Sequence, residues 1–132
     1  YKTDYWIDAC DDISAKIVLV NSFCKSTRKK SILICGSAGG KTNPFSIFHK
    51  DLSMTEQDPM LSKLRYNLRK KYRFFSRGSM GIPAIFSTQS SQKPEAYQGA
   101  KINCQGYGSI VTVTATFGMK ASSIAIGELL KK

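Results

Sequence analysis

The sequence predicts an α+β domain in which one main α-helix packs on a twisted antiparallel β-sheet. Three observations carry that prediction. Ile110, Thr112, Thr114 and Thr116 alternate with Val111, Val113, Ala115 and Phe117, a period-2 pattern that puts an apolar row on one face of a central strand and a hydroxyl-rich row on the other. Ile13, Ile17, Val20 and Cys24 recur at helical spacing behind Asp11 and Asp12, acids that stand where a helix start wants its caps. Three further short runs of β-forming residues, Ser31–Cys35, Phe45–His49 and Ile82–Phe86, are separated by polar or glycine-containing segments. With 132 residues, 1–132 is expected to form a single domain with enough chain to bury an ordinary core.

Taken in order, residues 1–11 hold alternating Tyr5, Ile7 and Ala9 and read as a short edge strand or an ordered arm. The helix after Asp12 is apolar on more than one face (Val18, Leu19, Val20) and is expected to be largely buried against the sheet. Lys25–Lys30 is a basic connector to the strand Ser31–Cys35. Gly36-Ser37-Ala38-Gly39-Gly40-Lys41-Thr42 invites comparison with a phosphate-binding loop, but the first glycine is one position too close and Pro44 keeps Asn43 out of helical geometry. A Gly/Ser hairpin loop leading to Phe45–His49 is the better reading. Asp51–Asp58 reads as a loop; Asp58-Pro59 is a cap and first-position pair, opening a helix with Met60, Leu61, Leu64 and Leu68 on one face to about Arg69. Gly78–Gly81 reads as a turn, and Pro83 places the next strand near an edge or a bulge. Ser87–Gly99 reads as a long loop. Ala100–Asn103 then pairs, across a glycine-rich turn at 104–108, with the central strand, and Ser122–Lys132 is compatible with strand or helix.

Lys63, Arg65, Arg69, Lys70, Lys71, Arg73 and Arg77 are interleaved with Tyr66, Tyr72, Phe74 and Phe75, and no acid stands between Pro59 and Pro94. Cations beside aromatic rings are what single-stranded nucleic acid binding uses, so these seven are the candidate nucleic-acid-binding residues. The bland alternative is a solvated basic rim on a core strand. Net charge agrees with a polyanionic partner such as RNA: 20 Lys and Arg against 9 Asp and Glu give +11. An acidic protein partner fits equally. No run approaches the roughly 18 apolar residues of a spanning helix, so no membrane partner is expected.

Four cysteines permit three full pairings, of which Cys10–Cys104 is the attractive one. It would tie the N-terminal arm to the central hairpin, closing a loop of about 95 residues worth roughly 4–5 kcal/mol in the chain-entropy model. Cys24 and Cys35 sit in apolar runs as buried thiols. No close CxxC pair and a single histidine give no metal site, and no cofactor is expected. His49 has no identifiable acid-base partner, and no Ser/His/Asp or paired-carboxylate arrangement is visible, so no catalytic residue is assigned. The chain begins at Tyr1, which suggests a processed form whose signal peptide was removed.

Tyr5-Trp6 with Cys10, and Lys101-Ile102-Asn103 followed by Gly108-Ser109-Ile110-Val111-Thr112-Val113-Thr114, together with the order of elements, carry a resemblance to a known family. Both resemble the RNase-like secreted effectors of powdery mildew fungi, which are similar to small fungal guanyl-specific ribonucleases. In that comparison Val113 occupies the catalytic histidine position, Lys101 stands for the arginine, and the middle-strand carboxylate is replaced within Tyr72-Arg73-Phe74. The resemblance implies a microbial ribonuclease-like fold without ribonuclease activity: a secreted, monomeric virulence effector acting in the host cell cytoplasm or nucleus. Its implied partners are a plant immune receptor or another host protein, or RNA. The alternatives are a basic nucleic-acid-binding module and an active ribonuclease using His49.

Overall fold

The computed structural model describes residues 3–25, 31–71, 78–91 and 108–131. Four strands, β1 (Tyr5–Asp8), β2 (Ser31–Cys35), β3 (Ile47–Asp51) and β4 (Pro83–Ser87), form one sheet in the order β1-β2-β4-β3. β1, β2 and β4 run parallel, and β3 lies antiparallel along β4. Parallel neighbours need crossovers. Helix α1 (Ile13–Lys25) joins β1 to β2, and α2 (Pro59–Lys71) precedes β4. Ile17 and Val20 of α1 and Leu61, Leu64 and Leu68 of α2 share one core with Ile32, Ile34, Ala84 and Phe86 of the sheet. Helix α3 (Val111–Leu129) covers the opposite face, where Val113, Phe117 and Ala121 meet Leu33, Cys35, Ile47 and Ile85.

The expectation of helices with a sheet holds. The expected antiparallel, ribonuclease-like sheet under one helix does not: the sheet is mixed and helices lie on both faces. The physical reason lies in β2 and β4, whose successive residues are buried almost without interruption because each strand is covered from both sides. The expected hairpin between β2 and β3 is absent for the same reason, since β4 is inserted between them. Pro83 lies on an interior strand, but at its first residue, where it faces Asp51 of β3 and the pairing with β2 begins only at Ala84. The turn before it uses left-handed backbone at Gly78 and Gly81 (φ 72° and 65°).

The largest correction concerns residues 110–117. They form the start of α3, not a central strand. Val113, Phe117, Ala121 and Ala125 are buried at a spacing of four, so the apolar stripe is helical and runs well past the alternating stretch. The hydroxyls read as a solvent row of a strand bond back along the helix instead, Thr116 Oγ1 to Thr112 O at 2.6 Å and Thr114 Oγ1 to Val111 O at 3.3 Å. Val113 is thus a fully buried core residue of a helix, with no relation to a catalytic strand position. The partner strand Ala100–Asn103 and the turn at 104–107 lie outside the described residues.

Other elements follow their expectations. β1 is an edge strand. Asp12 Oδ1 accepts the amides of Ser14 and Ala15 at the start of α1, although Val18 faces solvent. Asp58 caps α2, with Oδ1 accepting the Leu61 amide at 3.0 Å.

Candidate functional site

The carboxyl ends of β1, β2 and β4 point to one side of the sheet, the edge at which parallel α/β sheets place their ligands. Two buried lysines organise it. Lys16, from the sheet-facing side of α1, donates to Asp8 Oδ2 and to Cys35 O, both at 3.0 Å. The Lys16 and Asp8 side chains are buried, and Asp8 Oδ1 accepts the Cys10 amide at 3.0 Å. The last residues of β1 and β2 are therefore bound to α1 through one ammonium group.

Lys41 makes the second clamp. Its ammonium donates to Ser87 O at 3.2 Å and to Gln57 O at 3.3 Å, and lies 4.0 Å from Asp58 Oδ2. Burial pushes its pKa down, and the Asp58 carboxylate opposes that shift. Asp58 Oδ2 also accepts the Ser37 amide at 2.8 Å, so one carboxylate joins the glycine-rich loop to the start of α2. Gly36 allows that approach: a Cβ there would stand 2.2 Å from Asp58 Oδ2 and 2.9 Å from Leu61 Cδ1.

The glycine-rich loop spends its donors internally. The amides of Gly36, Ser37, Gly39, Gly40 and Lys41 bond to Ile85 O, Asp58, Ser37 Oγ, Gly108 O and Ala38 O, and those of Thr42 and Asn43 to Gln89 Oε1. Such a loop is not set up to cradle phosphates, which agrees with the reading against a P-loop. Beside it, a cavity of about 390 Å³ opens at the start of α2, lined by Gln57, Asp58, Ser62, Arg65, Ser90 and Ser91 among others. Chemically, the edge offers a polar cavity at the start of α2; among the described residues no group of three metal-ligating side chains occurs.

Of the candidate nucleic-acid-binding residues, Lys63, Lys70 and Lys71 lie on α2, and Lys70 Nζ stands 5.8 Å from the Tyr66 ring centroid. Lys63, Lys70 and Lys71 are all exposed. Arg65 turns inward, donating to Leu52 O, Thr55 O and Thr55 Oγ1 at 3.1, 3.1 and 2.7 Å. Arg69 Nε is buried, without a hydrogen-bond partner among the described residues. Arg73 and Arg77 lie outside the described residues, as does Cys104, the expected partner of Cys10. Burial raises the thiol pKa of Cys10, and the Asp8 carboxylate adds to the rise. Cys35 is buried, whereas Cys24 is exposed, against expectation. His49, the alternative ribonuclease residue, sits on β3 and lines a separate cavity with Tyr5 and Glu128; burial and Lys120 lower its pKa.

Sequence reasoning missed Asp8, Lys16 and Lys41. The signal was present for Lys16, which falls three residues after Ile13 and four before Val20, on an apolar stripe where a lysine needs a buried acid.

No protein-family model matches the chain. The tRNA threonylcarbamoyladenosine dehydratase of Haemophilus influenzae is 43% identical over 136 residues, spanning 98% of this chain and 51% of that enzyme. The chain is similar to half of a bacterial tRNA-modifying dehydratase. The Escherichia coli dehydratase is 33% identical over 142 residues, spanning 97% of this chain and 52% of that enzyme. The solved structure of the Escherichia coli dehydratase in complex with AMP superposes with a TM-score of 0.80 at 34% identity, covering 97% of this chain and 49% of that one. The chain thus spans about half the length of the dehydratases it matches.

These findings overturn the resemblance to powdery mildew effectors and what it implied. Similarity runs over nearly the whole chain to bacterial proteins named as enzymes, not to fungal virulence factors, so the non-enzymatic effector reading falls. A ribonuclease fold falls with it, active or inactive. A plant immune receptor as partner, secretion, and delivery to host cytoplasm or nucleus likewise do not fit dehydratases that modify tRNA. The resemblance rested on element order and on a strand that is a helix.

Proposed function

We propose that the chain is part of a tRNA threonylcarbamoyladenosine dehydratase, working on tRNA with an adenine nucleotide. The observation that carries this is the 43% identity spread over 98% of the chain. The AMP complex of the Escherichia coli dehydratase supports the nucleotide half of the reading. In this chain the glycine-rich loop commits its amides internally, and Asp58 and Glu56 beside the α2 cavity would repel phosphates. Asp8, buried and fixed by Lys16 and the Cys10 amide at the end of β1, holds that sheet edge together from within.

The tRNA contact is assigned to the basic, acid-free side of α2, with Lys63, Lys70 and Lys71 as phosphate-binding residues and Tyr66 available for stacking. Arg73 and Arg77 extend the same run in sequence. Arg65 is assigned a positioning role, because its guanidinium is committed to the 52–55 turn. The test is tRNA binding measured against salt for the chain and for Lys63→Gln/Lys70→Gln/Lys71→Gln. Binding is expected to weaken steeply with salt, and the triple variant to flatten the log–log slope by about two to three, near one per lost phosphate contact. An unchanged slope in a folded triple variant would remove α2 from the interface.

A further inference from the structure

Phe45 is 91% exposed, yet the turn that carries it, Pro44–Ser46, is tightly held. The Thr42 and Asn43 amides donate to Gln89 Oε1 at 2.9 and 2.8 Å, Asn43 Oδ1 accepts the Phe45 amide at 2.9 Å, and Ser46 Oγ donates to Asn43 O at 2.8 Å. The Thr88 amide donates to Ser46 O at 2.9 Å and ties the turn to the end of β4. The backbone is thus fixed on both sides of a ring from which the fold gains almost nothing. β3 continues the pattern at the sheet edge, where Phe48, His49 and Lys50 are exposed. Lys50 Nζ and Lys120 Nζ stand 6.0 and 5.8 Å from the Phe48 ring centroid, and Lys120 also donates to Ile47 O. The acid of the strand, Asp51, is turned to Ser53, Ser79 and Met80. β3 leads into α2, and Arg65 of α2 donates to Leu52 O and Thr55 O just beyond the strand, so the ring-bearing edge adjoins the cationic helix.

We propose that β3 and the turn before it form the base-stacking part of the tRNA interface, with Phe45 and Phe48 each taking an unpaired base and Lys50 the adjoining phosphate. This rests on the tRNA reading above and adds the feature of the RNA that is recognised. An aromatic ring takes any base by its π-face but needs that base out of its pair, so this surface selects a single-stranded loop over a duplex. Phe45 and Phe48 are three residues apart, at most about 10 Å along extended backbone, within reach of neighbouring bases on one strand. The turn is already fixed, so stacking on Phe45 orders little that was free. A protein partner would use Phe45 as an apolar plug, for which leucine serves as well; the net charge of +11 favours the polyanion.

The test is binding of the chain to tRNA, to single-stranded oligouridylate and to duplex RNA of the same length, measured against salt. Phe45→Ala/Phe48→Ala is expected to weaken tRNA and oligouridylate about tenfold or more, with the salt slope and duplex binding unchanged, and Lys50→Gln to lower the single-strand slope by about 0.7. Phe45→Trp should keep the affinity and Phe45→Leu lose it. Circular dichroism confirms that each variant is folded. A folded double variant that binds tRNA and oligouridylate as tightly as the parent would overturn the stacking contact and leave the tRNA reading standing, as would Phe45→Leu at full affinity. A parent chain that binds no tRNA at low salt would remove both.

Discussion

Lys16 cannot reach bulk water, so its ammonium must be satisfied by Asp8 and the Cys35 carbonyl. Removing one partner of such a pair leaves a buried charge. Lys16→Met is therefore expected to cost about 3–5 kcal/mol in urea unfolding, and Lys16→Met with Asp8→Asn less than the single change. Gly36→Ala is expected to cost about 1–3 kcal/mol by the same measurement, because its methyl would displace Asp58 and Leu61 together. Asp51 gives a pH signature. Burial works to raise its pKa, but the hydrogen bonds from Ser53, Met80 and Ser79 prevail and hold it far below the usual carboxylate range. A depressed carboxylate stabilises the fold above its unfolded pKa of about 3.9 and loses that contribution as pH falls toward the folded value. Asp51→Asn should thus be about 1–2 kcal/mol less stable at pH 7, with the gap closing below about pH 4 in acid-dependent melts. At this scale the sequence was partly legible. Asp58-Pro59 announced its cap because the signal is local, whereas the link from Asp58 to Ser37 and Lys41 depends on a fold that brings residues 37–41 and 58 together.

At the scale of elements, α1, α2 and the strands β2 and β4 were readable within a residue or two, since each is a short window with one dominant pattern. Residues 110–117 were not, because Thr and Val in alternation satisfy a strand's period over eight residues while also supporting a helix. Only the continuation to Ala121 and Ala125, four residues apart like Val113 and Phe117, decides between them. The helical assignment has its own test at Gly127, which lies inside α3 with nothing within 4 Å of the place an added methyl would take. Gly127→Ala is expected to raise stability by about 0.5–1 kcal/mol in thermal or urea unfolding, the gain of alanine over glycine in a helix interior. A loss of stability would speak for a turn there. Strand direction was the other element-scale failure: apolar runs such as Ile32–Ile34 report burial on two faces, and that is the mark of parallel strands with crossover helices.

At the scale of the whole molecule, the described strands and helices place two lysine–carboxylate clamps along one edge of the sheet and a cationic helix on one face. The positive charge favours a polyanionic partner, and the tRNA of the proposed function is one. The reaction was not legible, because no triad, metal cluster or open phosphate loop stands among the residues described and the chain spans about half of its relatives. The central claim is that these 132 residues do in a tRNA threonylcarbamoyladenosine dehydratase what the matching half of the Haemophilus influenzae enzyme does. It is tested most directly by replacing that half with this chain and measuring, by nucleoside mass spectrometry, loss of water from threonylcarbamoyladenosine in tRNA. Retained dehydration is the expected result; a folded chimera that binds tRNA and leaves the nucleoside unchanged would contradict the account.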